Sequence, residues 1–133
     1  MTTHATGTFQ GTSWEETAFS EIEGGPKLTR ASVTNVFAGD VEGEGTLEYL
    51  MIYREDGSCG FIGVERVVGR VGGRAGSFVL QHDGVWEAGT AKGTWFVVPG
   101  SASDELRGLK GEGGYLAENG SPKATLTLDY ELP

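Results

Sequence analysis

Glycine recurs along the whole chain, at 23 of its 133 positions, and follows no three-residue period. That spread decides most of what the chain can become. Each glycine inside a helix costs about 1 kcal/mol relative to alanine, so a fold resting on long helices is hard to sustain. Collagen is excluded by the missing period and by the presence of only 4 prolines. Disorder is excluded differently: Leu, Ile, Val and Phe supply 30 residues, with 4 Tyr and 3 Trp besides, enough to build a core. What survives is an all-β protein whose strands tolerate or require glycine. At this length the chain is expected to form one domain, 1–133.

Period-two alternation divides the chain into strand-like stretches at 4–16, 27–38, 41–54, 59–71, 74–83, 85–98, 110–117 and 123–131. Ala31, Val33, Asn35 and Phe37 share one face, as do Leu47, Tyr49, Met51 and Tyr53. Phe61, Gly63, Glu65 and Val67 form another such set, opposite Arg66 and Arg70. Asp56-Gly57, Gly72-Gly73 and Asp83-Gly84 read as hairpin turns. The only helical signal is a short turn near 102–109. Eight strands joined in sequence by tight turns predict an antiparallel up-and-down meander closed into a barrel, which removes exposed edges. An eight-stranded barrel has room for its own side chains or for one small ligand. Gly43, Gly45, Gly63 and Gly93 fall on the inferred inward faces, so the amount of space they leave is the open question.

Ten basic residues against 19 acidic ones give a net charge of −9. That balance argues against nucleic acid and against anionic membrane surfaces as partners. No apolar run reaches the 18 or so residues of a membrane-spanning helix. The first residues show neither the charged region nor the apolar region of a signal peptide, so the expected location is cytoplasmic. Cys59 is the one cysteine and reads as a small apolar filler. With only His4 and His82, and no carboxylates at ligand spacing, neither a metal nor a cofactor is expected.

The stretches EGTLEYLMIYREDGS, GVERVVGRVGGRAGSFVLQHDGVWEAG, KGTWFVVPGSASDELRGLKGEGGY and TLTLDYEL resemble a bacterial family of small barrels, a domain of unknown function. The resemblance runs over about residues 7–132. That family's fold is similar to allene oxide cyclase, so the resemblance implies a calycin-like, eight-stranded antiparallel barrel that often self-associates. The cyclase relatives hold an apolar substrate inside the barrel and steer ring closure largely by shape. No catalytic motif of theirs maps residue by residue onto this chain, so for mechanism the likeness is one of fold.

Glu65 and His82 are the catalytic candidates. Glu65 shares a face with Phe61 and Val67. An apolar interior disfavours the charged form of a carboxylate, which suits it to acid or base work. His82, in phase with Phe78 and Leu80, is the second proton-transfer candidate. The alternatives are a structural glutamate held by a tyrosine or arginine, and a strand-end histidine beside the Asp83-Gly84 turn. Asn35, Tyr49, Tyr53, Trp95 and Tyr130 are the ligand-binding candidates, as inward aromatics and one inward amide. The alternative role of the aromatics is to fill the core, and that of Asn35 is to be a satisfied structural amide. These residues point to a barrel binding a hydrophobic small molecule, as a cofactor-independent cyclase or isomerase. The rival is a carrier, or a structural or self-associating barrel with no catalysis.

Overall fold

Along each strand the side chains alternate between the inside and the outside of a closed sheet. A computed structural model describes residues 2–133. The strands are β1 (Thr3–Ser20), β2 (Lys27–Gly39), β3 (Val41–Tyr53), β4 (Cys59–Val71), β5 (Arg74–Glu87), β6 (Thr90–Val97), β7 (Lys110–Glu118) and β8 (Ala124–Glu131). Every neighbour in sequence is an antiparallel neighbour in space, and β8 returns to β1 to close the barrel. The all-β, up-and-down barrel read from the sequence is therefore the fold. On β2, Ala31, Val33, Asn35 and Phe37 are buried while the residues between them are exposed. On β8, Ala124, Leu126, Leu128 and Tyr130 do the same.

Two features differ from the sequence reading. Asp83-Gly84 is not a turn. β5 runs straight through it to Glu87, and the reversal falls at Ala88-Gly89, with φ of 53° and 81°. Two successive positive φ values are what a two-residue hairpin requires to match strand twist. Gly84 is present for space: a Cβ there would stand 2.5 Å from the Phe61 ring and 2.4 Å from the Lys92 carbonyl oxygen. His82 is consequently mid-strand and buried, not at a strand end. The second difference is β1, which extends to Ser20 rather than 16. Register shifts at Gly11/Ser13 and Ala18/Ser20 break its alternation, as bulges do. The first is pinned by Thr12 and Ser13, whose hydroxyls both bond the Thr34 hydroxyl, at 2.7 and 2.6 Å.

The lower end of the barrel holds the β2–β3 and β4–β5 turns and the β6–β7 connection. In that connection a single 3-10 turn, Asp104–Leu106, is the short helical turn expected near 102–109. It is fastened to β5: the Ser77 backbone N–H donates to Ser103 Oγ (3.1 Å), and that of Ala75 to a Glu105 carboxylate oxygen (3.0 Å). Leu106 and Leu109 are thereby buried against the lower core of Leu47, Val67, Phe78, Leu80 and Leu128. This half of the barrel is packed. Among the described residues no helix is long and apolar enough to cross a membrane.

Candidate functional site

Above the packed half lies a layer of buried polar side chains. Glu65 and His82 are 0% and 1% exposed. They come from adjacent strands, two residues out of register, so both point inward at neighbouring levels: Glu65 pairs across with Leu80, and His82 with Gly63. Asn35 Nδ2 donates to Glu65 Oε2 (2.9 Å). Glu65 Oε1 meets His82 Nε2 at 2.8 Å. The other ring nitrogen, His82 Nδ1, lies 2.9 Å from the Tyr115 hydroxyl and 3.5 Å from that of Tyr49. The two hydroxyls lie 3.0 Å apart. Asn35, Glu65, His82, Tyr115 and Tyr49 thus form one continuous chain of hydrogen bonds. Among the described residues no buried side-chain polar atom lacks a partner, as a buried network requires.

Glycines make the space for this chain. A Cβ on Gly45 would meet Glu65 Oε2, one on Gly63 would lie 2.6 Å from the Tyr49 ring, and one on Gly93 would meet the Tyr115 ring. Three of the inward glycines inferred from the sequence therefore leave no void at their own positions. Each accommodates a larger side chain from a neighbouring strand.

Above the tyrosines the barrel opens into a pocket of about 460 Å³. Tyr49 and Tyr115 line its lower part, Phe9, Met51, Cys59, Phe61 and Ala91 its walls, and Trp14, Tyr53 and Trp86 its mouth. The size suits a small organic molecule. A more open groove of about 520 Å³ crosses the outer surface past Gln81, Asp83, Thr94, Phe96 and Glu112. The groove also passes His82 and Trp95, but their side chains turn inward and are buried. The outward side chains named here are all solvent-exposed, so the interior pocket is the better site.

Burial pushes the phenols of Tyr49 and Tyr115 well above the ordinary tyrosine value, and the nearby Glu65 carboxylate adds to the effect. Both stay neutral hydroxyls, able to donate and accept. At the mouth, Glu16 accepts hydrogen bonds from Tyr53 (2.5 Å), Thr29 (2.6 Å) and Trp14 Nε1 (2.9 Å). Partial burial raises the Glu16 pKa, but these donors outweigh that and hold it below the usual carboxylate range. The Cys59 thiol, pushed up by burial, is a neutral wall group. Among the described residues no three of His, Cys, Asp and Glu gather as a metal site would need.

The family model described as a protein of unknown function, DUF3224, matches residues 5–130. The chain belongs to the DUF3224 family. A crystal structure of a DUF3224 protein of unknown function from Shewanella oneidensis MR-1 is 31% identical to it, with a TM-score of 0.80. That match covers 100% of this chain and 98% of the Shewanella chain. No curated protein matches the sequence.

Within this DUF3224 barrel the residues singled out from sequence all lie inside, but not together. Glu65, His82 and Tyr49 meet in the hydrogen-bonded chain. Tyr53 stands at the pocket mouth. Asn35 is a buried amide that holds Glu65 from the side away from His82, and is not part of the pocket wall. Trp95 lies behind the floor, its ring 5.2 Å from that of His82 and its Nε1 donating to the Thr127 carbonyl. Tyr130 belongs to the lower end, with its hydroxyl close to Gly72. Tyr115, the link between His82 and the pocket, was not singled out from the sequence. It follows a glycine pair in GEGGY, and its partner Gly93 is the one signal that a large inward side chain crosses there.

Proposed function

We propose that this DUF3224 protein binds an apolar small molecule in the pocket at the upper end of its barrel. In this reading it acts on that molecule as a cofactor-independent isomerase or cyclase. The observation that carries the reading is the join between two unlike parts. The pocket walls are almost wholly apolar, while the Tyr49 and Tyr115 rings below them lead through their hydroxyls to a buried His82–Glu65 pair. A carrier needs the walls and has no use for the buried acid–base pair, whose burial is costly to arrange. The resemblance to allene oxide cyclase inferred from the sequence motifs points the same way. A lipophilic dye such as Nile red should brighten on binding the wild-type protein and much less on binding Ala91→Trp, which fills the pocket. Equal brightening with both proteins overturns the pocket as the binding site. Once a substrate is in hand, full activity in Glu65→Gln overturns the acid–base role.

A second reading, self-association, has its own observation. The outward side chains of β3 and β4 include Leu50, Ile52, Ile62, Val64 and Val68, all more than 40% exposed. Leu50 and Ile62 face each other across the two strands. An apolar face of this kind fits a second copy of the chain. Sizing chromatography should give a dimer or larger species for wild type and a smaller one for Ile62→Lys; the same monomeric elution for both removes this reading.

A further inference from the structure

The hydrogen bonds from Glu65 to Tyr49 admit two directions. In one, Tyr49 donates to the Tyr115 oxygen, Tyr115 donates to His82 Nδ1, and His82 Nε2–H donates to an ionised Glu65. The Tyr49 oxygen then has unused lone pairs. In the other, a protonated Glu65 donates to Nε2, Nδ1–H donates to the Tyr115 oxygen, and Tyr115 donates to the Tyr49 oxygen. The Tyr49 O–H is then free to donate. The second arrangement holds one more proton than the first. Asn35 Nδ2 donates to Glu65 Oε2 in both, so the far end is satisfied whichever way the chain runs.

We infer that this chain is a proton relay opening into the pocket at Tyr49, and that the pocket's ligand is an apolar compound carrying an acidic oxygen, a phenol or an enol. This rests on the pocket reading above and specifies its chemistry. The ligand O–H bond breaks as its proton goes to the Tyr49 oxygen. Tyr49's own proton passes to Tyr115, Tyr115's to His82 Nδ1, and the Nε2 proton to Glu65 Oε1. As many O–H and N–H bonds form as break. The net result moves one negative charge from Glu65 to the ligand oxygen, where the Tyr49 O–H now donates to it. No free ion crosses the apolar wall. A ligand without an ionisable oxygen gains nothing from this arrangement. A permanently anionic one leaves a second negative charge in the interior.

Two compounds of similar shape test it: 4-nitrophenol, whose phenol and phenolate forms absorb at different wavelengths, and 4-nitroanisole, which has no proton to give. Both are titrated into the full chain below the pKa of free 4-nitrophenol. Wild type should bind the phenol about tenfold more tightly than the ether, the worth of a hydrogen bond to a charged group. The bound phenol should also show the phenolate band. In Glu65→Gln and in Tyr115→Phe the preference should fall to about twofold or less, as expected once the charged partner is lost, and the band should vanish. Tyr115→Phe retains the ring over Gly93, so it decides the matter if the Glu65 variant does not fold. Equal binding of the two compounds by wild type, or a band that survives both substitutions, overturns the relay and leaves the pocket standing. Binding of neither compound overturns the pocket reading and the relay with it.

Discussion

Gly93 and Tyr115 behave as a single unit shared between β6 and β7. The ring of Tyr115 lies where a side chain on Gly93 would be, and only there does its hydroxyl reach His82 Nδ1. Gly93→Ala drives a methyl group into that ring, a small-to-large change in a packed interior. It should destabilise the protein by about 1–3 kcal/mol, measured as a lower urea midpoint at unchanged slope. A midpoint equal to wild type would show the ring is free to move aside. At this scale the sequence was informative where strands alternate cleanly. β4 and β5 do so, and Glu65 and His82 are found inward as expected. β7 does not: its glycines blur the two faces, and Tyr115 was hidden for that reason.

The strands themselves were legible to within a few residues, and the departures have separate physical causes. At β5, an Asp-Gly pair looks like a turn because its usual use is in turns, while here the glycine yields space to Phe61. The real turn places Ala88 in the left-handed region, at φ 53°. An L-residue there carries a cost of about 1–2 kcal/mol. Ala88→Gly relieves it, less the entropy that glycine loses on folding, and should stabilise the protein by about 0.5–1 kcal/mol. A rise in thermal midpoint checks this; a fall would mean the Ala88 methyl makes contacts worth more than the strain. At β1 the bulges shift the side chains from one face to the other partway along, so alternation fails just where the strand continues.

For the barrel as a whole, alternation reveals which face a residue takes but not its height along the axis. Height depends on register, which the turns and bulges set. This is why Asn35, Trp95 and Tyr130 are inward as read and yet lie beside or below the pocket rather than around it. The polar layer also shapes how the whole molecule responds to alkali. Burial raises the Tyr49 and Tyr115 pKa values above the unfolded value of about 10. Below that value both phenols are neutral folded or unfolded, and their contribution is intact. Above it the unfolded chain loses protons that the folded chain retains, so stability falls as pH rises. Each tyrosine should contribute about 1.4 kcal/mol of loss per pH unit. Denaturant midpoints across that range should therefore drop steeply in wild type and less steeply in Tyr115→Phe. Equal slopes would mean that Tyr115 titrates normally.

The connection that buries Leu106 and Leu109 shuts one end of the barrel and leaves the other open. The molecule is thus a cup rather than a tunnel. The pocket has one mouth, framed by Trp14, Tyr53 and Trp86, and the first two are both tied to Glu16. The ligand proposed above would have no second route out. Its entry and exit are then set at this one mouth, where Glu16 holds Trp14 and Tyr53, while selectivity is set by the groups at the base of the cup.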